Sequence, residues 1–352
     1  MKKVALMMAI LLTSMVAFAQ KPNKAEMKQM KAFLEQPAEK HATNAEALGI
    51  SNLADPTTWE GVTVANGQIT EIKWAGKGLA GNLNLADFAA LTKVDVSRNK
   101  LNSISVANAV ALTDLNASRN KLTAITLDGA QALANVSINN NRLTDVTFNN
   151  VPILKNLNCS NNYFVSLDLN GSASLVTLNC QGNHLEQLNV ANCGNLKNLY
   201  CGYNKLASIN LFGVTSLANF NCDDNQITNM VLQGLPALGT FICSDNNMQN
   251  LSVKDCNVLV DLVCSYNDLT NLSVEGCPQL LFVDCSYNDL TSLTLSNQTF
   301  LQRLICNNNQ LNMLDVSFDQ NLTYINCRYN MITDLRTEAC PNLTMIACRW
   351  AY

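Results

Sequence analysis

Cysteine is the residue type in this chain with the widest chemical repertoire, because thiolates bind metals, attack electrophiles and form disulfides. The 352-residue chain has 14 cysteines and only two histidines, and no C-x-x-C occurs, so the ligand spacing of a zinc site is missing. We predict that these thiols are small apolar side chains of the core, with disulfides and redox work as the alternatives. Ten of them recur every 21 residues, at Cys159, Cys180, Cys201, Cys222, Cys243, Cys264, Cys285, Cys306, Cys327 and Cys348, and four share a second register, at Cys193, Cys256, Cys277 and Cys340.

Other residues that could do chemistry form no recognisable site. Asp223, Asp224 and Asp245 fall close together, but calcium needs six to eight oxygen ligands. The G-x-G-x-x-G at 76–81 carries meaning only between a strand and a helix, and neither His41 nor His184 belongs to a catalytic motif. We therefore predict no enzymatic activity, no catalytic residue, no metal and no cofactor.

A repeat of 21 residues positions all of these side chains. Twelve full units and a ten-residue stub read L-x-x-L-x-C-x-x-N-x-L-x-x-L-x-L followed by five looser residues. Such a period indicates one continuous solenoid rather than separate domains. The units open at Leu91, Leu112, Leu133, Leu154, Leu175, Leu196, Leu217, Leu238, Leu259, Leu280, Leu301, Leu322 and Leu343.

The positions within a unit predict two legs and a turn. Positions 4 and 6 are apolar and alternate with polar positions 3, 5 and 7, as in a strand with one buried face. Positions 11, 14 and 16 give the return leg its own apolar stripe, which stacking of neighbouring units covers. Position 18 is Asn, Gly or Asp in ten of the twelve units, which favours a turn with positive φ.

Position 9 is Asn in every full unit. An inward amide can both donate to and accept from backbone groups where the chain leaves the strand, so we predict a structural role. These residues are Asn99, Asn120, Asn141, Asn162, Asn183, Asn204, Asn225, Asn246, Asn267, Asn288, Asn309 and Asn330.

Positions 3, 5, 8 and 10 should face solvent, and their composition changes along the chain. The first three units carry a basic patch, which would suit an anionic ligand or simply be solvated: Arg98, Lys100, Arg119, Lys121 and Arg142. From the sixth unit onward the same positions carry an aromatic patch, of the apolar kind that marks binding sites. The alternative for position 8 is that the tyrosines only shield the strand ends, which leaves the apolar residues at positions 3 and 5 unexplained. The aromatic patch comprises Tyr200, Tyr203, Ile242, Val263, Tyr266, Phe282, Tyr287, Ile305, Tyr324, Tyr329 and Trp350.

The unit resembles a leucine-rich repeat of the 21-residue class found in exported bacterial proteins. The L-x-x-L-x-[LC]-x-x-N-x-L core, the Asn at position 9 and the strict period carry the match over residues 91–352. Upstream, 59–64 and 69–74 resemble the cap that precedes plant-type repeats, with Val64 where a stapling cysteine would be expected. The resemblance implies a mostly β right-handed solenoid, an arc whose parallel sheet lines the concave face and whose N-terminus has a short helical cap. It also implies binding on the concave sheet.

The region before the repeats is expected to have three parts. Residues 1–19 read as a signal peptide, with Lys2 and Lys3, an apolar run and an Ala17-Phe18-Ala19 cleavage site before Gln20. Residues 20–58 form a helical segment, because 25–36 has apolar residues at helical spacing, and it acts as a lid on the solenoid or as a partner-binding helix. Residues 59–90 form the cap, and 91–352 the repeats.

Taken together, the sequence predicts a non-enzymatic exported recognition protein. Its ligand would be a protein, peptide or glycan on the concave strand face, and the alternative is a structural or self-assembling surface scaffold. A net charge of -4 argues against nucleic acid as a partner. We expect a secreted, periplasmic or cell-surface location, no integral membrane segment, and a monomer with a weak dimer through the last strand as the alternative.

Overall fold

The computed structural model describes residues 21–295, 298–317, 319–338 and 340–348. Helices α1 (Lys24–Leu34) and α2 (Asn44–Ala47) and a 3-10 turn (Pro56–Thr58) precede the strands. In chain order the strands are β1 (Val62–Ala65), β2 (Gln68–Lys73), β3 (Ala80–Asn84), β4 (Lys93–Asp95), β5 (Lys100–Ser105), β6 (Asp114–Asn116), β7 (Ala124–Thr126), β8 (Asn135–Ser137), β9 (Asn156–Asn158), β10 (Ser166–Asp168), β11 (Thr177–Asn179), β12 (Gln187–Asn189), β13 (Asn198–Tyr200), β14 (Asn219–Asn221), β15 (Asn229–Gln233), β16 (Thr240–Ile242), β17 (Asn250–Lys254), β18 (Asp261–Val263), β19 (Asn271–Glu275), β20 (Phe282–Asp284), β21 (Arg303–Ile305), β22 (Met313–Asp315), β23 (Tyr324–Asn326), β24 (Asp334–Arg336) and β25 (Met345–Ala347).

One sheet of 15 strands runs the length of the solenoid. After the antiparallel β1–β2 hairpin every pairing is parallel, and within the repeats each residue pairs with the residue 21 positions further on, as Phe282 does with Arg303. Positions 3, 4 and 5 of the unit form the strands, and position 4 points into the core. In the last strand, β25, the corresponding Ile346 is 41% exposed. The structure confirms the predicted β-solenoid with its parallel sheet.

The return legs form four short parallel sheets rather than one long one. They are β3-β5-β7, β10-β12, β15-β17-β19 and β22-β24. In the units that open at Leu133 and Leu196, the described return legs contain no named strand, although Asn210 makes an isolated bridge to Asn189. The convex side of the solenoid is therefore interrupted, whereas the strand face is continuous.

The Asn at position 9 ties each unit to the one before it. In a typical case the Asn288 Nδ2 donates to the Cys285 carbonyl at 3.1 Å and to the Cys264 carbonyl of the preceding unit at 3.0 Å. Its Oδ1 accepts from the Leu269 N–H at 3.0 Å, also in the preceding unit. The same pattern recurs in the other units, so one side chain satisfies backbone groups of two turns where the strand ladder ends.

The N-terminal helix covers the first turns of the solenoid. Asn23 caps α1 by accepting from the N–H groups of Ala25 and Glu26, and Met30, Phe33 and Leu34 are buried. The Phe33 ring stacks on Trp74 at 6.2 Å between centroids. Glu26, on the same helix, is buried and accepts from the Ile69 N–H at 2.9 Å. Because of this packing, α1 is the helical cap of the fold. Its position corresponds to the lid on the solenoid, the first of the two roles predicted for this segment.

Nine of the ten cysteines at position 6 are buried and stack in the core between the two legs. All 14 cysteines are free; 13 side chains are buried and Cys348 is exposed. Among the described residues, no helix combines the length and apolarity needed to cross a membrane.

Candidate binding surface on the strand face

The solvent-facing side chains of the main sheet come from positions 3 and 5, on either side of the buried position 4. Phe282 and Tyr324 lie at position 3, and both are half-buried. At position 5 lie four further half-buried members of the aromatic patch, Tyr200, Ile242, Val263 and Ile305. We call the surface made by positions 3 and 5 the strand face.

The tyrosines of position 8 stand at the edge of this face, in the turn that follows each strand. Tyr203, Tyr266, Tyr287 and Tyr329 are 57%, 50%, 43% and 51% exposed. Trp350, the remaining member of the aromatic patch, lies outside the described residues. Neighbouring turns therefore bring the other ten members along one stretch of the solenoid, between the sixth and twelfth units.

Position 8 adopts a left-handed backbone conformation in all twelve full units. Its φ is 53° at Tyr266 and 54° at Tyr287, and lies between 50° and 64° throughout. The backbone ladder continues through this turn, since the Tyr266 N–H donates to the Ser286 carbonyl at 3.0 Å. This conformation costs a residue with a Cβ roughly 1–2 kcal/mol, yet tyrosine occupies it four times.

The sequence pattern predicted a positive φ at position 18 but not the positive φ at position 8. The prediction for position 18 is confirmed, since all nine described positions, from Asn108 to Gly276, have positive φ. The missed signal was present in the sequence, because position 8 also holds residues that tolerate this conformation. They are Asn140, Asn161, Gly182, Asp224, Asp245 and Asn308.

Two aromatic contacts organise the patch. Tyr266 and Tyr287 stack on neighbouring turns, with ring centroids 4.2 Å apart and an interplanar angle of 8°. At position 3, the Arg303 guanidinium carbon lies 5.4 Å from the Phe282 ring centroid and 5.3 Å from that of Tyr324. Arg303 thus sits between two rings on adjacent strands, in cation–π geometry. Sequence analysis named both rings but not the arginine between them.

At position 3, amides occupy most of the middle strands of the main sheet, from β8 to β14 in the seventh unit. The Asn156 Nδ2 donates to the Asn135 Oδ1 at 2.8 Å, and the Asn219 Nδ2 donates to the Asn198 Oδ1 at 2.7 Å. These side chains satisfy one another along position 3, so the face there is polar and self-paired. The change from amides to aromatics occurs within a single regular sheet.

The basic patch lies at positions 8 and 10, on the edge of the sheet and not on the strand face. Arg98, Arg119, Lys121 and Arg142 are exposed. Lys100 pairs with Glu39 of the N-terminal segment at 3.6 Å. The patch is therefore partly neutralised at its first turn.

The acidic residues of the middle turns lie on the same edge. Burial raises the pKa of Asp223 above its usual range, and the charges of Asp224 and Asp245 raise it further. The pKa of Asp245 is also raised, first by burial and then by Asp224. Within the described residues, no group of three or more His, Cys, Asp or Glu side chains is arranged to hold a metal ion.

The stacked thiols are held in their protonated form. Burial raises the pKa of the Cys159 thiol to about 12, and burial together with neighbouring thiols raises the pKa of Cys180 well above its usual value. Because the thiolate is the reactive species, these side chains act as core residues at neutral pH.

Three solved structures share this architecture. YopM from Yersinia enterocolitica has a TM-score of 0.64 at 22% identity, covering 81% of this chain and 63% of that chain. An internalin, inlF, from Listeria monocytogenes has a TM-score of 0.61 at 21% identity, covering 86% of this chain and 92% of that chain. The LRR protein LIC12759 of Leptospira interrogans has a TM-score of 0.51 at 19% identity, covering 77% and 91%.

The fold is that of a leucine-rich repeat solenoid. This chain spans less than two thirds of the length of YopM. Neither a protein-family profile nor a curated protein matches it. The likeness to solved structures therefore concerns the fold, and function has to be argued from the surface.

Proposed function

We propose that the protein is an exported, non-enzymatic recognition protein whose ligand docks on the strand face at the aromatic patch. The ligand is a protein, a peptide or a glycan. The observation that carries the proposal is that, at positions 3, 5 and 8 of the described residues, aromatic side chains occur only from the sixth to the twelfth unit of an otherwise uniform sheet. A spacer has no need for such asymmetry, because every unit stacks through the same inward positions.

The strained tyrosines support the same site. An exposed tyrosine gives little to the core, yet Tyr266 and Tyr287 adopt positive φ and stack on each other above the sheet edge. Aromatic and arginine side chains are over-represented among the residues that dominate binding energy. The aromatic patch holds both, since Phe282 and Tyr324 flank Arg303.

Export and location belong to the proposal as well. Residues 1–19 lie outside the described residues, and their basic start, apolar run and small-x-small site support assigning them as a signal peptide. We place the mature protein in the periplasm, at the cell surface or outside the cell, as a monomer that starts near Gln20. The basic patch is the second candidate site, for an anionic ligand.

The proposal is tested with the exported protein, a displayed peptide library, a glycan array and a pull-down from culture medium. The double variant Phe282→Ser/Tyr324→Ser should weaken the selected ligand at least tenfold and leave the melting temperature nearly unchanged, because neither side chain points inward. The matched control is Phe212→Ser, since Phe212 is 73% exposed on the convex side.

A ligand whose affinity ignores the Phe282/Tyr324 pair would contradict the proposal. The basic patch around Arg98 and Arg119 would then become the first site to examine. Failure of every probe to bind would favour the scaffold reading.

A further inference from the structure

Arg303 is an exposed cation with aromatic rings on both sides. It lies on β21, and its registered partners on β20 and β23 are Phe282 and Tyr324. Its guanidinium carbon is nearly equidistant from the two ring centroids, at 5.4 and 5.3 Å. The two rings lie on either side of the arginine, on the neighbouring strands. The side of the guanidinium that faces away from the sheet is therefore open to solvent.

The hydrogen-bonding capacity of the Arg303 side chain is unused within the part of the chain that the structure describes. Among the described residues, the ion pairs do not include Arg303, and its guanidinium donates no hydrogen bond. The nearest acidic position on the strand face, Asp284, accepts from the N–H and Oγ of Ser286 at 3.0 and 2.6 Å. Asp261 lies two strands away from Arg303. It is on β18 and pairs with Phe282 on β20, which separates it from β21. A guanidinium has five N–H donors, in a fork that matches a carboxylate.

Beside Arg303 the strand face offers one aliphatic side chain in addition to the two aromatic rings. Ile305 follows two residues later on the same strand, and its registered partners on β20 and β23 are Asp284 and Asn326. The apolar contact next to the guanidinium is therefore narrow, and polar side chains flank it. An extended peptide can place a carboxylate on the arginine and one apolar side chain on Ile305.

We infer that Arg303, held between Phe282 and Tyr324, anchors a carboxylate of a peptide ligand whose neighbouring apolar side chain packs on Ile305. This inference rests on the proposed function and specifies its ligand. The carboxylate belongs to an acidic side chain or to the C-terminus of the ligand, two sources of the same chemistry. The two rings restrict the arginine before binding, which lowers the entropy lost when the bidentate contact forms.

The test begins with a library of random 12-residue peptides displayed on phage and selected on the full exported chain. The selected peptides should be enriched in Asp or Glu beside an apolar residue, or should need a free C-terminus. Synthetic copies with Glu→Gln or Asp→Asn, and copies with an amidated C-terminus, identify which carboxylate binds. The variant Arg303→Gln should lose at least tenfold in affinity for the acidic peptide and little for its amide counterpart.

Two further variants separate charge from geometry. Arg303→Lys keeps the charge but loses the planar fork, so we expect a loss of at least fivefold. Lys155→Gln removes an exposed cation in the fourth unit, outside both candidate sites, and should leave affinity unchanged. The melting temperatures of all three variants should match the wild type, because none of these side chains is in the core.

The outcomes distinguish this inference from the proposed function. Peptides that bind Arg303→Gln as well as wild type, but not Phe282→Ser/Tyr324→Ser, would overturn the inference and leave the proposed function standing. Binding of an oligogalacturonate through Arg303, with no enrichment of peptides, would overturn the peptide as ligand. Selected peptides that ignore both variants would overturn the inference and the proposed site together.

Discussion

The buried side-chain amide of Asn288 satisfies backbone groups of two neighbouring turns. It is 7% exposed, and its hydrogen bonds reach the Cys264, Cys285 and Ser286 carbonyls and the Leu269 N–H. Truncation leaves several buried backbone groups without partners, at about 1–3 kcal/mol for each group left unpaired. The requirement acts at every turn, which explains why position 9 does not vary.

We predict that Asn288→Ala lowers the free energy of unfolding by about 2–4 kcal/mol. Urea denaturation followed by circular dichroism measures the change. Asn247→Ala is the matched control, since Asn247 is an exposed amide at position 10 of the unit that opens at Leu238, two turns earlier. Equal destabilisation by the two variants would show that the ladder is not what holds the turns together.

Asp319 is the most deeply buried carboxyl group of the described residues that lacks a partner. It is 2% exposed, and its Oδ1 has no hydrogen-bond partner within the described part of the chain. Burial raises the pKa of Asp319 to about 7, and the charge of Asp315 adds to the effect. Asp315 is itself paired with Arg336, and the buried Cys340 thiol is the other titratable neighbour.

This raised pKa predicts a stability that falls as pH rises. The folded protein binds the Asp319 proton more tightly than the unfolded chain, whose carboxyl titrates near its ordinary value of 3.8. The contribution of Asp319 is therefore fully present below about pH 4 and is lost progressively up to about pH 7. Asp319→Asn should flatten the fall in unfolding free energy between pH 5 and pH 7.5, measured against Asp268→Asn as an exposed control. An unchanged slope in Asp319→Asn would contradict this assignment.

At the scale of elements, the strands were predictable and the gaps between the convex sheets were not. Alternation at positions 3 to 7 predicted each strand of the main sheet, because a one-residue shift would expose every core side chain. The return leg at Leu196 has the same apolar pattern as its neighbours, with Ile209 and Leu211 at positions 14 and 16, yet forms only a bridge at Asn210. Whether this return leg pairs with its neighbours depends on how adjacent turns pack against one another. The residue pattern of a single unit does not determine that packing.

The missing strand in the return leg of the unit that opens at Leu196 lowers the local stability of the convex side. A cavity of about 370 Å³ lies between 208–212 and 229–233, and Phe212 and Val231 at its rim are 73% and 72% exposed. The amides of Ala207, Ser208 and Ile209 should exchange with solvent at least 100-fold faster than those of Leu251 and Val253. The reason is that β17 is paired on both sides, by β15 and β19. Hydrogen exchange followed by mass spectrometry or NMR decides this, and equal protection of the two legs would contradict it.

At the scale of the whole molecule, the same scaffold presents two different surfaces. The sequence predicted both surfaces, because composition at positions 3, 5, 8 and 10 can be read once the period is known. It did not predict the pairing of Phe282 and Tyr324 around Arg303, since contacts between position-3 side chains depend on rotamers across three strands. It also did not predict the positive φ at position 8, because Arg and Tyr there obscure the Asn and Gly signal.

The central claim is that the strand face, at the aromatic patch, is the surface that a ligand covers. Hydroxyl-radical footprinting of the side chains tests it directly, with a peptide, protein or glycan selected as described above at saturating concentration. We predict that oxidation of Tyr266, Phe282 and Tyr324 falls at least threefold, while oxidation of Phe212 on the convex side does not change. Protection of Phe212 with unaltered oxidation of Tyr266, Phe282 and Tyr324 would contradict the account.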